Sequence, residues 1–117
     1  MVTSELKDGI VWLTVEGELV SQDVMREAGQ WLSQKDAFSG FITDLCEMTS
    51  IPSTTEQKKL EEWRKQNESG KPHALLGRTN ALGALIKIYI RFTKAEDTRY
   101  FMKPEAAIAW VKGFGQR

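Results

Sequence analysis

Cysteine and histidine are almost absent from the sequence, which has one of each, Cys46 and His73. A single cysteine cannot form an internal disulfide, and one cysteine with one histidine cannot supply the ligand spacing of a structural metal site. The sequence therefore predicts no metal site and no cofactor. Because disulfides are typical of oxidising compartments, their absence favours the reducing cytoplasm.

The sequence also lacks an excess of either charge, since 16 Lys and Arg residues balance 16 Asp and Glu residues. A neutral chain has no net field that draws it to nucleic acid or to anionic lipid. Long apolar runs are missing too: Lys87 and Arg91 interrupt the most apolar stretch, residues 81–92, and charges occupy the N-terminal segment MVTSELKDG. We therefore expect a cytoplasmic protein with neither a signal peptide nor an integral membrane segment.

What is present is ordinary for a folded protein: 117 residues, of which 41% are hydrophobic and 27% charged. That length fits one hydrophobic core, so we expect a single domain over residues 1–117. The segment GIVWLTVEG (9–17) alternates apolar and polar residues, which predicts a half-buried strand. A short strand from Thr3 to Leu6 would pair with it through a turn at Asp8 and Gly9.

A helix and a central strand are predicted next. Ser21 is placed to cap a helix in which apolar residues recur at helical spacing as far as Leu32. The apolar segment FSGFITDL (38–45) predicts a strand covered on both faces. The residues that follow, 46–56, predict a loop, because Pro52 bars regular pairing.

The second half continues the alternation of helices and strands. A helix through Glu68 follows Ser53 or Thr54 as its cap, and HALLG (73–77) predicts a short strand. Residues 80–94 fit a strand by their alternation and a helix by their spacing. We favour the helix, because two parallel strands need a crossover between them.

A closing strand from Thr98 to Met102, and a helix that begins at Pro104 and stops at Gly113, complete the order of elements. This alternation predicts an α/β fold with one mixed sheet of four or five strands, flanked by about four helices. Its parallel crossovers are expected to be right-handed.

Two segments resemble the STAS superfamily, specifically the SpoIIAA-like group related to anti-sigma-factor antagonists. In FITDLCEMTSIPST, an apolar strand ends in Asp44 and Leu45 and leads to a serine at the head of a helix. Ser53 falls at the position that is phosphorylated in regulatory members. RYFMKPEAAIAWV is similar to the closing strand and helix of the same group. The resemblance implies a SpoIIAA-like fold, a regulatory role through protein partners, and a likeness to lipid-binding folds of the SEC14 type.

The loop after Asp44 is the first site hypothesis, with Ser53 and Thr54 as phosphoacceptor or loop residues. A phosphate on Ser53 would place roughly two negative charges at the positive end of a helix. However, Pro52 stands where regulatory members carry an acidic residue, and a plain helix cap contributing about 1 kcal/mol also accounts for the serine. Both interpretations stay open.

Two apolar surfaces are the other hypotheses. Leu60 and Trp63 are the only apolar residues of EQKKLEEWRKQNE, so they either anchor a protein partner or pack on the sheet. The helix over residues 80–94 has more apolar residues than one face requires, so some of them either complete the core, cover a small apolar ligand or contact a second copy of the chain. These residues are Leu85, Ile88, Tyr89 and Ile90.

The sequence offers no set of residues that could act together in catalysis. Cys46 or Ser53 would need a base to act as a nucleophile, and His73, the only histidine, begins a predicted strand away from both. We therefore predict a regulatory or protein-interaction module without catalytic activity, whose partner is an unidentified protein or a second copy of the chain. The alternative is a carrier or sensor of a small apolar ligand or lipid.

Overall fold

Strands and helices alternate along the chain, as the sequence predicts for an α/β fold. The computed structural model describes residues 1–67, 70–93 and 96–114. Within these ranges lie five strands and four α-helices, with a 3₁₀ segment (Leu32–Ala37) after the first helix. The elements are β1 (Val2–Lys7), β2 (Ile10–Glu18), α1 (Ser21–Gly29), β3 (Phe41–Ser50), α2 (Thr54–Gln66), β4 (His73–Leu76), α3 (Asn80–Thr93), β5 (Thr98–Phe101) and α4 (Pro104–Gly113).

Strands β1 and β2 form the predicted hairpin. They pair antiparallel, from Val2 opposite Val15 to Lys7 opposite Ile10. Asp8 and Gly9 connect them with φ angles of 56° and 73°. Two consecutive left-handed residues make a two-residue turn whose twist matches that of the flanking strands, and Asp-Gly tolerates that backbone well.

The five strands follow one another across the sheet in chain order, β1-β2-β3-β4-β5. Strands β2 to β5 are parallel, and only β1 runs the other way. The register places four residues side by side in one row: Val11 opposite Phe41, Phe41 opposite His73, and His73 opposite Thr98. Because side chains in one row of a parallel sheet point to the same face, these four residues share a face.

Residues 80–93 form a helix, which confirms the favoured interpretation of this stretch. Helix α3 carries the chain from β4 to the parallel strand β5, and its first turn is capped by Thr79, whose Oγ1 accepts a hydrogen bond from the Leu82 amide at 3.1 Å. Gly83 brings α3 close to β5. A Cβ at Gly83 would lie 2.7 Å from the ring of Tyr100, so the glycine is required for this approach.

The two faces of the sheet are covered differently. On the α4 face, Ile10, Ile42, Ala74 and Leu76 pack against Ala107, Trp110 and Val111 of α4. The cavity face carries the alternate strand residues, which pack against α1, α2 and α3. Their buried members are Val11, Leu13, Val15, Phe41 and Leu45, with Val24, Ala28 and Ile86 from the helices.

Two local predictions are wrong. Val20, not Ser21, is the N-cap residue of α1; Ser21 lies in the first turn, is buried, and donates a hydrogen bond to the Glu56 carboxylate of α2. Strand β3 begins at Phe41 and does not end at Leu45 but runs to Ser50, because the last residues of β2 pair with it beyond an irregularity in the register. The predicted loop is therefore much shorter.

The other helix starts agree with the sequence. Ser53 caps α2, its Oγ accepting a hydrogen bond from the Glu56 amide at 3.2 Å, and Pro104 occupies the first turn of α4. The predicted helix ends at Glu68 and Lys94 lie outside the described residues. In the ranges that are described, no helix combines the length and the apolar character needed to cross a membrane.

Candidate functional site

A cavity of about 240 Å³ lies between the cavity face of the sheet and helices α1, α2 and α3. It exists because α2, whose only apolar side chains are Leu60 and Trp63, packs against α1 and brings few groups to the sheet below. Its apolar lining includes Leu13, Leu19, Val24, Ala28, Phe41, Leu45, Leu60, Trp63, Leu82, Leu85 and Ile86.

One end of the cavity is polar and lies near the first residues of β3, β4 and β5. Thr43 Oγ1 lies 2.7 Å from His73 Nε2, a hydrogen bond between two side chains that both line the cavity. Thr98 lines it beside them and is buried, with its hydroxyl donating to Asp97 Oδ1 at 3.2 Å. The cavity is also lined by Gln57, Arg64, Asn67, Lys71 and Asp97, and its remaining lining is largely apolar.

Burial lowers the pKa of His73 to about 4; the Asp97 carboxylate partly opposes this shift and the Arg64 guanidinium adds to it. The imidazole is therefore neutral at pH 7. A neutral imidazole has one nitrogen that donates and one that accepts, so the hydrogen bond to Thr43 leaves the second nitrogen with the opposite role.

Charged groups beside the polar end are engaged with one another. Arg64 donates to both oxygens of Glu61, at 2.9 Å and 3.2 Å, and reaches Asp97 Oδ1 at 3.5 Å. Lys71 Nζ donates to the Phe38 carbonyl at 2.9 Å. Lys65, which is exposed and does not line the cavity, also approaches Glu61 Oε1 at 4.0 Å, so both carboxylates of this cluster are paired with cations.

The opposite end is apolar and opens to solvent. Ile51 and Leu85 line the cavity there and are 52% and 48% exposed. Ile88, which is 55% exposed, follows Leu85 by three residues on the same side of α3. We call Ile51, Leu85 and Ile88 the apolar mouth patch. Exposed apolar side chains that adjoin a cavity are typical of a binding surface.

The residues predicted for the loop site are not brought together. Ser53 and Thr54 are exposed at the start of α2, whereas Asp44 lies within β3, six residues before its end, which is about 20 Å at ~3.3 Å per residue. Asp44 points away from the cavity, since Thr43 and Leu45 on either side of it face the cavity. Its Oδ1 accepts a hydrogen bond from the Cys46 amide at 2.9 Å.

The structure places the residues of the two predicted apolar surfaces in different environments. Leu60 and Trp63 are half-buried and face the cavity. Leu85 and Ile88 lie in the apolar mouth patch, whereas Ile90 is half-buried and packs against the core. The side chain of Tyr89 lies outside the described part of the chain. Leu85 is therefore the one predicted ligand residue that lines the cavity in the structure as described.

Sequence reasoning missed the polar end of the cavity. Thr43 is the uncharged polar residue inside the segment FITDL, and a hydroxyl at an inward position of a buried strand is the signal that would have found it. Its partner His73 could not be paired with it, because the register between β3 and β4 is set by the fold and cannot be deduced from either strand alone.

Activation of Cys46 by His73 is incompatible with the register. His73 lies opposite Phe41, five residues before Cys46 on β3, which is about 16 Å at ~3.3 Å per residue. Burial raises the pKa of the Cys46 thiol, and its hydrogen bond with Asp44 raises it further, so the thiol stays protonated at neutral pH. Among the residues the structure describes, no three of the His, Cys, Asp and Glu side chains are grouped to hold a metal ion.

These features define an α/β fold of the SpoIIAA-like kind, and three solved structures share it. A crystal structure of an anti-sigma factor antagonist from Mycobacterium paratuberculosis is similar over 96% of this chain and 93% of its own, with a TM-score of 0.69 and 16% identity. A DUF3478 family protein with a SpoIIAA-like fold from Shewanella loihica PV-4 matches over 95% and 92%, with a TM-score of 0.65 and 15% identity.

The third is the anti-sigma factor antagonist SpoIIAA in its unphosphorylated form, similar over 97% of this chain and 99% of that one, with a TM-score of 0.64 and 14% identity. The sequence matches no protein-family model and no curated protein. At this level of identity the likeness shows the fold, and the predicted SpoIIAA-like α/β fold is confirmed.

Proposed function

We propose that this protein is a regulatory module that acts by binding another protein, without a catalytic step of its own, in the cytoplasm. The observation that carries the proposal is the fold shared over nearly the whole chain with two proteins named as anti-sigma factor antagonists. An antagonist of a protein factor acts by protein contact, so this fold supports such contacts in those proteins.

The apolar mouth patch is the surface we assign to the partner. Its three side chains are about half exposed, and one of them, Ile51, lies two residues before Ser53. Leu60 and Trp63, the partner anchors predicted from the sequence, face the cavity instead and would support the patch from beneath. Apolar side chains that are buried only on association contribute most to binding where they sit at the centre of an interface.

Substitutions in the patch test this proposal. We expect Leu85→Ser with Ile88→Ser to fold normally but to lose the protein that the wild-type chain retains when purified with crosslinking from its native cells. Leu6→Ser is the matched control, since Leu6 is 43% exposed on the edge strand β1. If the patch variant retains the same partner as wild type, or if the control loses it equally, the assignment is wrong. Light scattering shows whether the partner is a second copy of the chain.

Ser53 sits beside this surface and has two proposed roles. A phosphate there would add roughly two negative charges at the N-terminus of α2 and so change how the patch is presented to a partner. The cap that Ser53 already forms with the Glu56 amide accounts for the residue without modification. Mass spectrometry of protein from its native cells decides between them, because repeated absence of phosphate on Ser53 and Thr54 would leave only the cap.

The cavity favours a second candidate function, a carrier or sensor of a small apolar ligand. A largely apolar chamber with a few convergent polar groups is the usual form of a small-molecule site, and at about 240 Å³ this one is smaller than the usual range of about 300–1,000 Å³. Native mass spectrometry of the purified chain tests this function. A reproducible added mass supports it, and bare protein after gentle extraction counts against it.

A further inference from the structure

We propose that the cavity binds an uncharged, medium-chain amphiphile, whose hydroxyl or carbonyl head hydrogen-bonds to Thr43 and His73 and whose hydrocarbon chain runs towards Ile51 and Leu85. This inference rests on the second candidate function, because it requires that the cavity hold a ligand.

The volume of the cavity limits the length of the ligand. A water molecule occupies about 30 Å³ in the liquid, and a methylene group takes up a similar volume. A cavity of about 240 Å³ therefore holds roughly eight non-hydrogen atoms. A single chain of about eight carbons can be enclosed in this space, whereas most of the two acyl chains of a phospholipid would have to extend through the open mouth into solvent.

The two ends of the cavity fix the orientation of the ligand. Thr43, His73 and Thr98 stand at one end, where a hydrocarbon chain would leave their remaining hydrogen-bonding capacity without a partner. Thr43 has one donor and two acceptor sites on its hydroxyl, so its hydrogen bond to His73 leaves capacity for a ligand head. The other end offers Met48, Ile51 and Leu85, which suit only hydrocarbon.

Charge balance selects an uncharged head. A carboxylate would need Arg64 or Lys71, but Arg64 is engaged by Glu61 and Asp97, and Lys71 by the Phe38 carbonyl. An ammonium group would meet these same two cations, and the Glu61 and Asp97 carboxylates are already paired with Arg64. Burying either ion without a dedicated partner costs more than burying a hydroxyl that finds Thr43 and His73.

The test uses 1-octanol, octanoate and octylamine as probes, titrated into the full chain at pH 7.5 after any co-purified material has been extracted. We expect 1-octanol to bind at least tenfold more tightly than octanoate or octylamine by calorimetry. Methyl resonances of residues that line the cavity, such as Leu13 and Leu45, should shift, whereas those of Ile42 and Val111 on the α4 face should not.

Two matched Thr→Val variants test the head-group contact. Thr43→Val keeps the shape of the side chain but removes the hydroxyl, so we expect it to weaken 1-octanol about five- to tenfold, the worth of one hydrogen bond. Thr14→Val is the control, because Thr14 lies on the neighbouring strand and does not line the cavity. A circular dichroism melt of both variants establishes that they fold.

The outcomes distinguish failure of the second candidate function from failure of the inference about the ligand head group. If no probe binds and no mass accompanies the purified chain, the second candidate function itself fails. If probes bind but octanoate is as tight as 1-octanol, or Thr43→Val binds 1-octanol as well as Thr14→Val does, the head-group inference is overturned while the cavity remains a ligand site. Should Thr43→Val fail to fold, the ranking of the three probes on the wild-type chain still decides the question.

Discussion

The two faces of one sheet differ in how completely they are covered. On the α4 face, contacts are so close that a Cβ added at Gly40 would lie 2.6 Å from the Pro72 carbonyl oxygen and 2.9 Å from Val111. The cavity face is covered by three helices, yet it keeps about 240 Å³ of empty space. The strands supply apolar residues to both faces, so the covering helix decides whether a face closes.

Helices α4 and α2, which cover opposite faces of the sheet, differ in how many apolar side chains they carry. Helix α4 has the sequence PEAAIAWVKG and buries Ala107, Trp110 and Val111 in the core. Helix α2 has the sequence TTEQKKLEEWRKQ, in which Leu60 and Trp63 alone are apolar. A helix with so narrow an apolar stripe cannot fill the space above a sheet.

The largest effect that we expect is on the free energy of unfolding, and it should differ between substitutions in α4 and in α2. Trp110→Ala removes a buried ring that packs against Phe101 and Phe114, and should lower the free energy of unfolding by about 3–5 kcal/mol. Trp63→Ala is the matched substitution on the cavity side and should cost less than half as much, because the ring is half-buried beside existing space. Urea unfolding of both variants measures the difference. Equal losses would contradict the contrast between the faces.

The next effect concerns the place where the cavity face is tightly packed. Gly83→Ala would push a Cβ against Tyr100, whose hydroxyl donates to the Thr79 carbonyl at 2.8 Å, and should cost about 1–3 kcal/mol. Gly113→Ala is the control on α4: nothing lies within 4 Å of its added Cβ, so it should be neutral or stabilise by up to about 1 kcal/mol. Thermal unfolding of the pair tests this. A harmless Gly83→Ala would mean that α3 does not need the glycine.

A smaller effect depends on pH. Because burial lowers the pKa of His73 to about 4, the unfolded chain takes up a proton near pH 6.5 that the folded chain resists. The contribution of neutral His73 to stability is therefore full above about pH 6.5 and is lost as pH falls towards 4. Between pH 7 and pH 5 the loss should be about 2 kcal/mol.

His73→Gln provides the comparison for this pH dependence. Glutamine can still hydrogen-bond but does not titrate, so the free energy of unfolding of the variant should depend much less on pH between 7 and 5. Urea unfolding of both proteins across that window measures the two slopes. If the wild-type and variant slopes are the same, His73 is not held neutral by the fold.

The smallest effect that we expect is at the start of α2. Ser53→Ala removes the cap of the Glu56 amide and should cost about 1 kcal/mol. Thr54→Ala, one residue later and exposed, should be close to neutral. Urea unfolding compares the two. If Thr54→Ala is the more damaging change, the cap has been assigned to the wrong residue.

The sequence predicted the order of elements well, for reasons that are local. Ser53, Thr79 and Pro104 each begin a helix by chemistry confined to a few residues, and Asp8 with Gly9 specifies the hairpin turn. Ser21 has the same local chemistry but is the first residue inside α1, where its hydroxyl donates to the Glu56 carboxylate of α2 and Val20 takes the N-cap position. A partner from a distant element is invisible to a local pattern.

The candidate site was harder to predict, since it depends on distances between elements. Leu60 and Trp63 could be recognised as an apolar edge on a polar helix, but the empty space beneath them depends on how far α2 lies from the sheet. Leu85 could be predicted because helix α3 has more apolar residues than one buried face requires. The pairing of Thr43 with His73 could not, because it depends on the register of parallel strands.

The consecutive order of strands in the sheet has a consequence for synthesis of the chain. Each new strand from β2 onward emerges from the ribosome after its only earlier neighbour, so it can pair at once without waiting for a distant segment. Contacts between elements that are close in sequence also keep the entropy of loop closure small, which favours rapid folding. A nascent chain of this topology extends its sheet from one edge outward.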